Sequence, residues 1–368
     1  MKIGIPKEIK DQEGRVAMTP DGTHYLIQQG HQVFVEVDAG LNSGFSNEQY
    51  QQAGAQLVSS AAAWAVDLVV KVTEPLESED RYLDRQIIFT FLHLAGVTPS
   101  LTLELLKKGT TAIAYETLED EQGRLPLLAP MSAIAGNMAT LMGSYYLAKF
   151  NQGRGVQLGK ILGKRQGKVV IVGDGVVGQH AAQVASAMGS QVFVAGTDQT
   201  KMESLKTTLL PEVAFFLSNP ENISEHIKDA DLVIGAVLVR GAKAPKIISE
   251  DLVRSMAKGS VVVDVSIDQG GCIATSKPTS HTDPVFIKHG IIHYCVTNMP
   301  GAYPRTSTIA LADATLPYVL RIANTGKASL MTDKTLVTAI NTYDGKITCK
   351  AVAEGLGMLD DYQPIVKF

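Results

Sequence analysis

The chain has 368 residues, enough for two or three domains of ordinary size. Hydrophobic residues make up 45% and charged residues 19%, as in a chain that buries a core, and a formal charge of -4 favours neither nucleic acid nor an anionic membrane as partner. No apolar run approaches the ~18 residues of a membrane helix, and the start, MKIGIPKEIK, lacks the apolar stretch of a secretory signal, so a cytoplasmic protein is expected.

From the amino end, short apolar or β-branched runs alternate with longer amphipathic ones. KIGI, QVFVEV, DLVVKV, QIIFTFL and TAIAYE read as strands, with helical stretches such as PDGTHYLIQQ and SLTLELLKKG between them. That alternation belongs to a parallel sheet with crossover helices, and it runs to about Pro130, where LPLLAP breaks it. MSAIAGNMATLMGSYYLAKF then reads as a long apolar helix with Ser132 placed to cap it. NQGRGVQLGKILGKRQG, glycine-rich and basic, reads as a loop. A second series follows: KVVIV, QVFVA, VAFFL, DLVIGAV, SVVVDV and IIHYCV. TSTIALADATLPYVLRIAN reads as another long helix, kinked or broken at Pro317. The expected fold is α/β, with two Rossmann-like domains, parallel sheets with crossover helices and a cleft between the domains.

In KVVIVGDGVVGQHAAQVASAMG, Gly173, Gly175 and Gly178 have G-x-G-x-x-G spacing. A lone match is weak, but this one follows a strand pattern and opens a helical one. The first glycine permits the tight turn, the second lets backbone approach a pyrophosphate, and the third lets the helix pack closely. A helix N-terminus supplies N–H groups for phosphate. Asp174, inside the turn, reads as solvated.

Several polar residues sit at the ends of apolar runs. His93 closes QIIFTFLH, at the strand end where α/β sheets bind ligands, although a core histidine bonded to a carbonyl is the plainer reading of that residue alone. Lys71 ends DLVVK, with a side chain snorkelling to water as its plain alternative. Arg15 follows the first strand on a loop, where a solvated arginine is common. Asp268 precedes Gly270 and Gly271, which let backbone pass close to a flat ligand, while Asp264 reads as structural. His24, His31, His180, His226, His281, His289 and His293 read as surface or packing residues. Cys272, Cys295 and Cys349, odd in number and without zinc-type spacing, fit a reducing compartment, buried packing and no bound metal. Two cations, a histidine near neutral pKa, a carboxylate and a dinucleotide turn together suit hydride transfer at an α-carbon bearing a carboxylate.

GIPKEIKDQEGRVAMTP, KVTEP, FTFLHLAG, IAYET, PLLAPMS, VIVGDGVVGQ, DLVIGAVL, GAKAPK, IDQGGC and YCVTNMPGAYPRTST together resemble the alanine dehydrogenase family, from Lys2 to about Ala323. The resemblance implies an NAD-dependent enzyme that interconverts L-alanine with pyruvate and ammonia. It implies that Arg15 and Lys71 hold the substrate carboxylate, that His93 is the acid/base, and that Asp268 is a second catalytic residue beside the substrate nitrogen and the nicotinamide. Ser132, Val176, Val177, Lys201, Ser218, Val237, Leu238, Val265, Ser266, Ile267, Lys277, Val296, Thr297, Asn298 and Met299 match cofactor-contact positions. A substrate domain of residues 1–130 with 306–368, a dinucleotide domain of 131–305 and a homo-oligomer, commonly a hexamer, are implied as well.

Three positions depart from the family pattern. Gly196 stands where the ribose-binding aspartate is usual, Arg240 where a proline is, and Thr73 where a second lysine often follows Lys71. NAD remains the expected cofactor, because Asp198 lies close enough in sequence to meet the ribose. NADP stays open, because Gly196 removes a repelling carboxylate. Two relatives of the architecture remain as alternatives: the NAD(H)-binding component of a transhydrogenase, and a saccharopine-type dehydrogenase.

Overall fold

The computed structural model describes residues 1–96, 98–208, 212–239 and 243–365. They form two compact units, 1–131 with 301–365 and 132–239 with 243–300. Arg240 lies outside the described residues.

In the first unit, β1 (Lys2–Ile5), β2 (Gln32–Glu36), β3 (Gln56–Val58), β4 (Leu68–Val70), β5 (Ile87–Thr90) and β6 (Thr111–Ala114) alternate with α1 (Pro20–Gln28), α2 (Asn47–Gln52), α3 (Ser60–Trp64) and α4 (Ser100–Lys108). Side-chain caps start the first two helices, Thr19 on Gly22 N and Ser46 in a capping box with Gln49. Helix α5 (Ala129–Tyr146) then leads into the second unit.

The second unit opens with the hairpin β7 (Gly159–Ile161) and β8 (Lys164–Gln166). It continues with β9 (Lys168–Val172), α6 (Val176–Met188), β10 (Gln191–Gly196), α7 (Gln199–Thr208), β11 (Val213–Leu217), α8 (Pro220–Ile227), β12 (Leu232–Gly235), α9 (Glu250–Ser255), β13 (Val261–Asp264), β14 (Val285–Lys288) and β15 (Ile291–Tyr294). The chain returns to the first unit through α10 (Pro304–Ser329) and adds β16 (Ile340–Tyr343) and β17 (Lys346–Ile347).

The first sheet runs β17-β16-β6-β5-β4-β1-β2-β3, parallel from β3 to β6, with β16 and β17 antiparallel. The second runs β11-β10-β9-β12-β13-β15-β14, parallel except for β14. Both parallel parts are doubly wound: the strand order reverses beside the first strand of each series, at β1/β4 and at β9/β12. Such a reversal opens a crevice at the carboxyl ends of the strands, where α/β sheets bind ligands.

Strand β9 shows how the second sheet is held. Val169 and Ile171 join one buried cluster with Ala181 and Ala185 of α6, whereas Val170 and Val172 join another with Ile223 and Ile227 of α8. Strand alternation thus sends successive residues to opposite faces, both helix-covered, and each fully buried aliphatic side chain contributes roughly 1.5–3 kcal/mol. In the first unit Trp64, Val69, Ile88 and Leu105 belong to one such cluster.

Three local expectations need correction. Helix α5 begins at Ala129, so Ser132 lies inside its first turn and does not cap it; Pro130 is tolerated there because first-turn N–H groups have no helical partner. The basic loop contains the β7–β8 hairpin, turned by Leu162 and Gly163, both at positive φ (47° and 83°), the pairing that closes a two-residue hairpin. Helix α10 keeps helical dihedrals through Pro317, and its interruption falls at Gly326, whose φ of 66° is left-handed.

Candidate active site

In the first unit the charged residues gather at the carboxyl ends of neighbouring strands. Arg15 follows β1, Lys71 follows β4 directly, and His93 lies three residues beyond β5. Neither cation is solvated. Arg15 is buried and grips Glu13 with two edges of its guanidinium, Nε to Oε1 at 2.7 Å and Nη2 to Oε2 at 2.5 Å, while Nη1 lies 3.2 Å from Met131 Sδ. The Lys71 ammonium is 0% exposed and donates to Glu8 Oε2 at 3.1 Å and Glu79 Oε1 at 3.0 Å. Burial pulls its pKa down, but Glu8 and Glu79 outweigh burial and hold it above the usual lysine value. Burial raises the Glu79 carboxyl, which opposes the pair; the Lys71 direction governs because Glu8 brings a second carboxylate to the same ammonium.

His93 is half-buried with φ 50°, a left-handed conformation uncommon for a non-glycine residue. Glu116 holds it there, accepting the His93 N–H at 2.6 Å and the Leu92 N–H at 3.2 Å. The imidazole lies parallel to Phe91, 2° between planes and 5.7 Å between centroids. Among the described residues no hydrogen bond takes either ring nitrogen, so its polar edges remain for a ligand, unlike the carbonyl-bonded core histidine weighed above. That description fits His293, which is fully buried between Thr275 Oγ1 (2.7 Å) and the Ile291 carbonyl (2.9 Å).

Sequence reasoning missed the carboxylates Glu8, Glu13, Glu79 and Glu116. A signal was available: a cation in an apolar strand pattern needs an opposite charge if it is buried. Glu8 and Glu13 both precede Arg15 in PKEIKDQEGR, but nothing in the spacing says which acid meets which cation. Thr73 donates its hydroxyl to Glu8 Oε2 at 2.6 Å and so supports the same carboxylate.

In the second unit the glycine turn sits at the reversal between β9 and β12. Gly173 has φ 120°, and a Cβ there would lie 2.3 Å from the Ala236 carbonyl oxygen just beyond β12. A Cβ on Gly178 would lie 1.9 Å from Gly173 O, so the helix folds onto the turn as much as onto the sheet. Gly175 is exposed, with nothing within 4 Å of a Cβ, and no side chain caps α6 at this residue. No side chain occupies the N-cap of α6, and the space beside Gly175 is open. This arrangement fits the pyrophosphate of a dinucleotide.

The other expected cofactor positions follow strands β10 to β13 and β15 in sequence, apart from Ser132 on α5 and Val176 and Val177 on α6. Ser218 N donates to Gly196 O at 2.7 Å. Ser266 Oγ bonds both Val237 O (2.7 Å) and Val237 N (2.9 Å), tying the loops after β12 and β13 together. Val176, Leu238 and Lys277 are exposed, the last with Nζ 4.5 Å from the Phe286 ring centre. Ser132, Val177, Val265 and Thr297 are half-buried. Ile267, Val296 and Met299 are buried in side chain, which leaves only their backbone for a ligand. Asp268 is exposed and accepts the Asn298 N–H at 3.2 Å. Asp264 is wholly buried and accepts the N–H groups of Ser266, Cys272 and Ile273, so it shapes the loop that carries Asp268. Gly270 and Gly271 have φ 87° and 77°, and Gly271 packs on Asp264.

Two doubly wound sheets, one with a dinucleotide turn at its reversal and one with buried ion pairs and a histidine at its own, define a dinucleotide-dependent α/β enzyme. The chain belongs to the alanine dehydrogenase/PNT family, whose N-terminal domain model matches residues 4–135 and whose C-terminal domain model matches residues 139–350. It is 48% identical to an alanine dehydrogenase of Staphylococcus epidermidis over 358 residues, 96% of either chain, and 47% identical to that of Staphylococcus haemolyticus over 362 residues, 97% of either. A solved L-alanine dehydrogenase superposes with a TM-score of 0.92 at 45% identity, covering 98% of this chain and 100% of that one. A transhydrogenase of Sinorhizobium meliloti shares the fold alone, at a TM-score of 0.81 and 22% identity over 95% of this chain and 100% of that one.

Proposed function

We propose that the protein is an NAD-dependent amino-acid dehydrogenase that reversibly deaminates L-alanine to pyruvate and ammonia. The observation that carries the reading is the placing of Arg15, Lys71 and His93 after β1, β4 and β5, three adjacent strands of one sheet. Near-full-length identity to alanine dehydrogenases supports the choice of substrate.

Arg15 and Lys71 orient the alanine carboxylate. Two cations face three carboxylates, Glu8, Glu13 and Glu79, so the site does not attract anions by net charge. It selects by direction: the pairing fixes each cation, and the donors that meet the substrate are aimed before it arrives. NAD, when bound, supplies the two-electron oxidant for the Cα–H bond. His93 takes a proton from the water that adds to the oxidised carbon, returns it to the departing nitrogen, and then takes the hydroxyl proton as the carbonyl of pyruvate forms, a role suited to an imidazole near neutrality. Asp268 steadies the positive charge on that nitrogen. The turn at Gly173, Gly175 and Gly178 holds the pyrophosphate through the N–H groups of α6, and the strand-end residues described above line the rest of the dinucleotide. The functional division is a substrate domain of 1–130 with 306–368 and a dinucleotide domain of 131–305. The protein works in the cytoplasm as a homo-oligomer, a hexamer by analogy with its family, and prefers NAD while retaining some use of NADP.

The test is NADH formation by the purified chain with L-alanine and NAD, beside a screen of other amino acids and keto acids. Turnover confined to alanine and pyruvate is expected. Tight NADH binding without turnover of any amino acid would instead assign the chain to the binding role of the transhydrogenase component.

A further inference from the structure

The end of β10 carries no side chain of its own, yet its space is filled. The strand stops at Gly196, where a side chain would ordinarily meet the adenosine ribose. A Cβ built on Gly196 would lie 2.7 Å from Asp174 Oδ2 and 2.8 Å from Met202 Sδ. The space of the missing strand-end side chain is therefore filled by a carboxylate from the glycine turn. Asp174 is held there: Oδ1 accepts Lys201 Nζ at 2.8 Å, and Gln179 Nε2 donates to the Asp174 carbonyl at 2.9 Å. Its side chain is 12% exposed, against 45% for Lys201, so Asp174 is not the solvated residue expected of its place in the turn, because it folds into the space left by Gly196. Asp174 Oδ2 is buried without a hydrogen-bond partner. Asp198 is exposed and caps α7, its Oδ1 accepting Lys201 N at 3.1 Å.

We infer that Asp174, held in the glycine turn, is the residue that selects NAD over NADP. The assignment rests on the dinucleotide site proposed above. A buried carboxylate oxygen without a donor is costly, and a ribose hydroxyl is a donor of the required kind. The methionine against it is flexible enough to make way. A 2′-phosphate offers only acceptors and negative charge, so the same carboxylate rejects it. Lys201 is the second half of the device. Paired with Asp174 it adds little net attraction for phosphate; released from Asp174 it becomes a phosphate partner. Gly196 is the third, because only a residue without a side chain leaves room for that acid.

The measurement is the dissociation constant of NADH and of NADPH by titration calorimetry, with alanine turnover assayed separately so that failure of the proposed activity is read independently. In Asp174→Ala, NADH should bind about tenfold more weakly, as for loss of one charged hydrogen bond, and NADPH should bind more tightly. Adding Lys201→Ala should cancel the NADPH gain. Asp174→Asn, which keeps the shape and removes the charge, should show the same loss of selectivity and serves if the alanine variant does not fold. Asp174→Gly with Gly196→Asp places the acid at the strand end and should restore the preference for NADH that Asp174→Gly lacks. Asp198→Ala should leave the ratio of the two constants within about twofold. A ratio unchanged in both Asp174→Ala and Asp174→Asn, or moved more by Asp198→Ala than by either, would overturn the assignment.

Discussion

The two units wind their parallel strands in the same order around a reversal, yet they furnish that reversal in opposite ways. In the first unit the place after β1 and β4 is filled with buried charge, Arg15 on Glu13 and Lys71 between Glu8 and Glu79. In the second unit the place after β9 and β12 is mostly backbone, glycines without side chains and a helix start that no side chain caps. The difference follows from the ligands proposed for each. A small amino acid has few atoms to grip, so each must meet a directed, charged donor. A dinucleotide offers a long polar chain that many weak backbone contacts can hold. Damage at the first reversal should therefore appear as lost chemistry and lost stability together, and damage at the second reversal as lost binding with the fold intact.

The largest effect is expected at His93. Replacement by alanine should lower turnover about 10²–10⁴-fold, the usual worth of a positioned acid/base, with the NADH dissociation constant unchanged. Equal losses of turnover and NADH binding would erase the functional separation of the units.

Next comes Lys71→Ala, which leaves Glu8 and Glu79 buried without their shared cation. Breaking a buried pair in this way should cost about 3–5 kcal/mol in denaturant unfolding, besides at least about a tenfold fall in kcat/KM for alanine. Adding Glu79→Gln should recover part of the stability and none of the activity. Full recovery of both would reduce Lys71 to a structural ion pair.

The second unit offers a titrating group of comparable weight. Burial depresses the pKa of His293 to about 4, from an ordinary value of 6.5. Between those values the unfolded chain binds the extra proton, so stability falls as pH drops from 6.5 to about 4, by about 3 kcal/mol in all. His293→Gln should flatten that part of the stability curve relative to the unsubstituted protein, and an unchanged slope would refute the burial argument.

The smallest change is expected from Gly175→Ala. The backbone there has φ -75°, and a methyl group would meet nothing within 4 Å, so Tm should not move. The methyl would nevertheless stand where a pyrophosphate approaches, and NADH should bind about tenfold more weakly. Normal NADH affinity in this variant would remove the cofactor from the turn.

The alternation of strand and helix, the glycine turn and the positions of Arg15, Lys71, His93 and Asp268 at the ends of apolar runs were all legible from residue order. They depend on local spacing: the side-chain periods of strand and helix differ, and a turn needs its glycines in sequence. Strands β3, β7, β8, β14, β16 and β17 were not legible, being short or at the margins of their sheets, where weak patterns are completed by neighbours. Only the tertiary structure decided that Lys71 is sealed between two carboxylates, that Glu116 holds His93 in a left-handed conformation, and that Asp198 caps a helix while Asp174 occupies the end of β10. The physical reason is range. Propensity and periodicity act between residues a few positions apart, whereas Lys71 meets Glu8 across 63 positions and Asp174 meets Lys201 across 27, distances that folding alone closes.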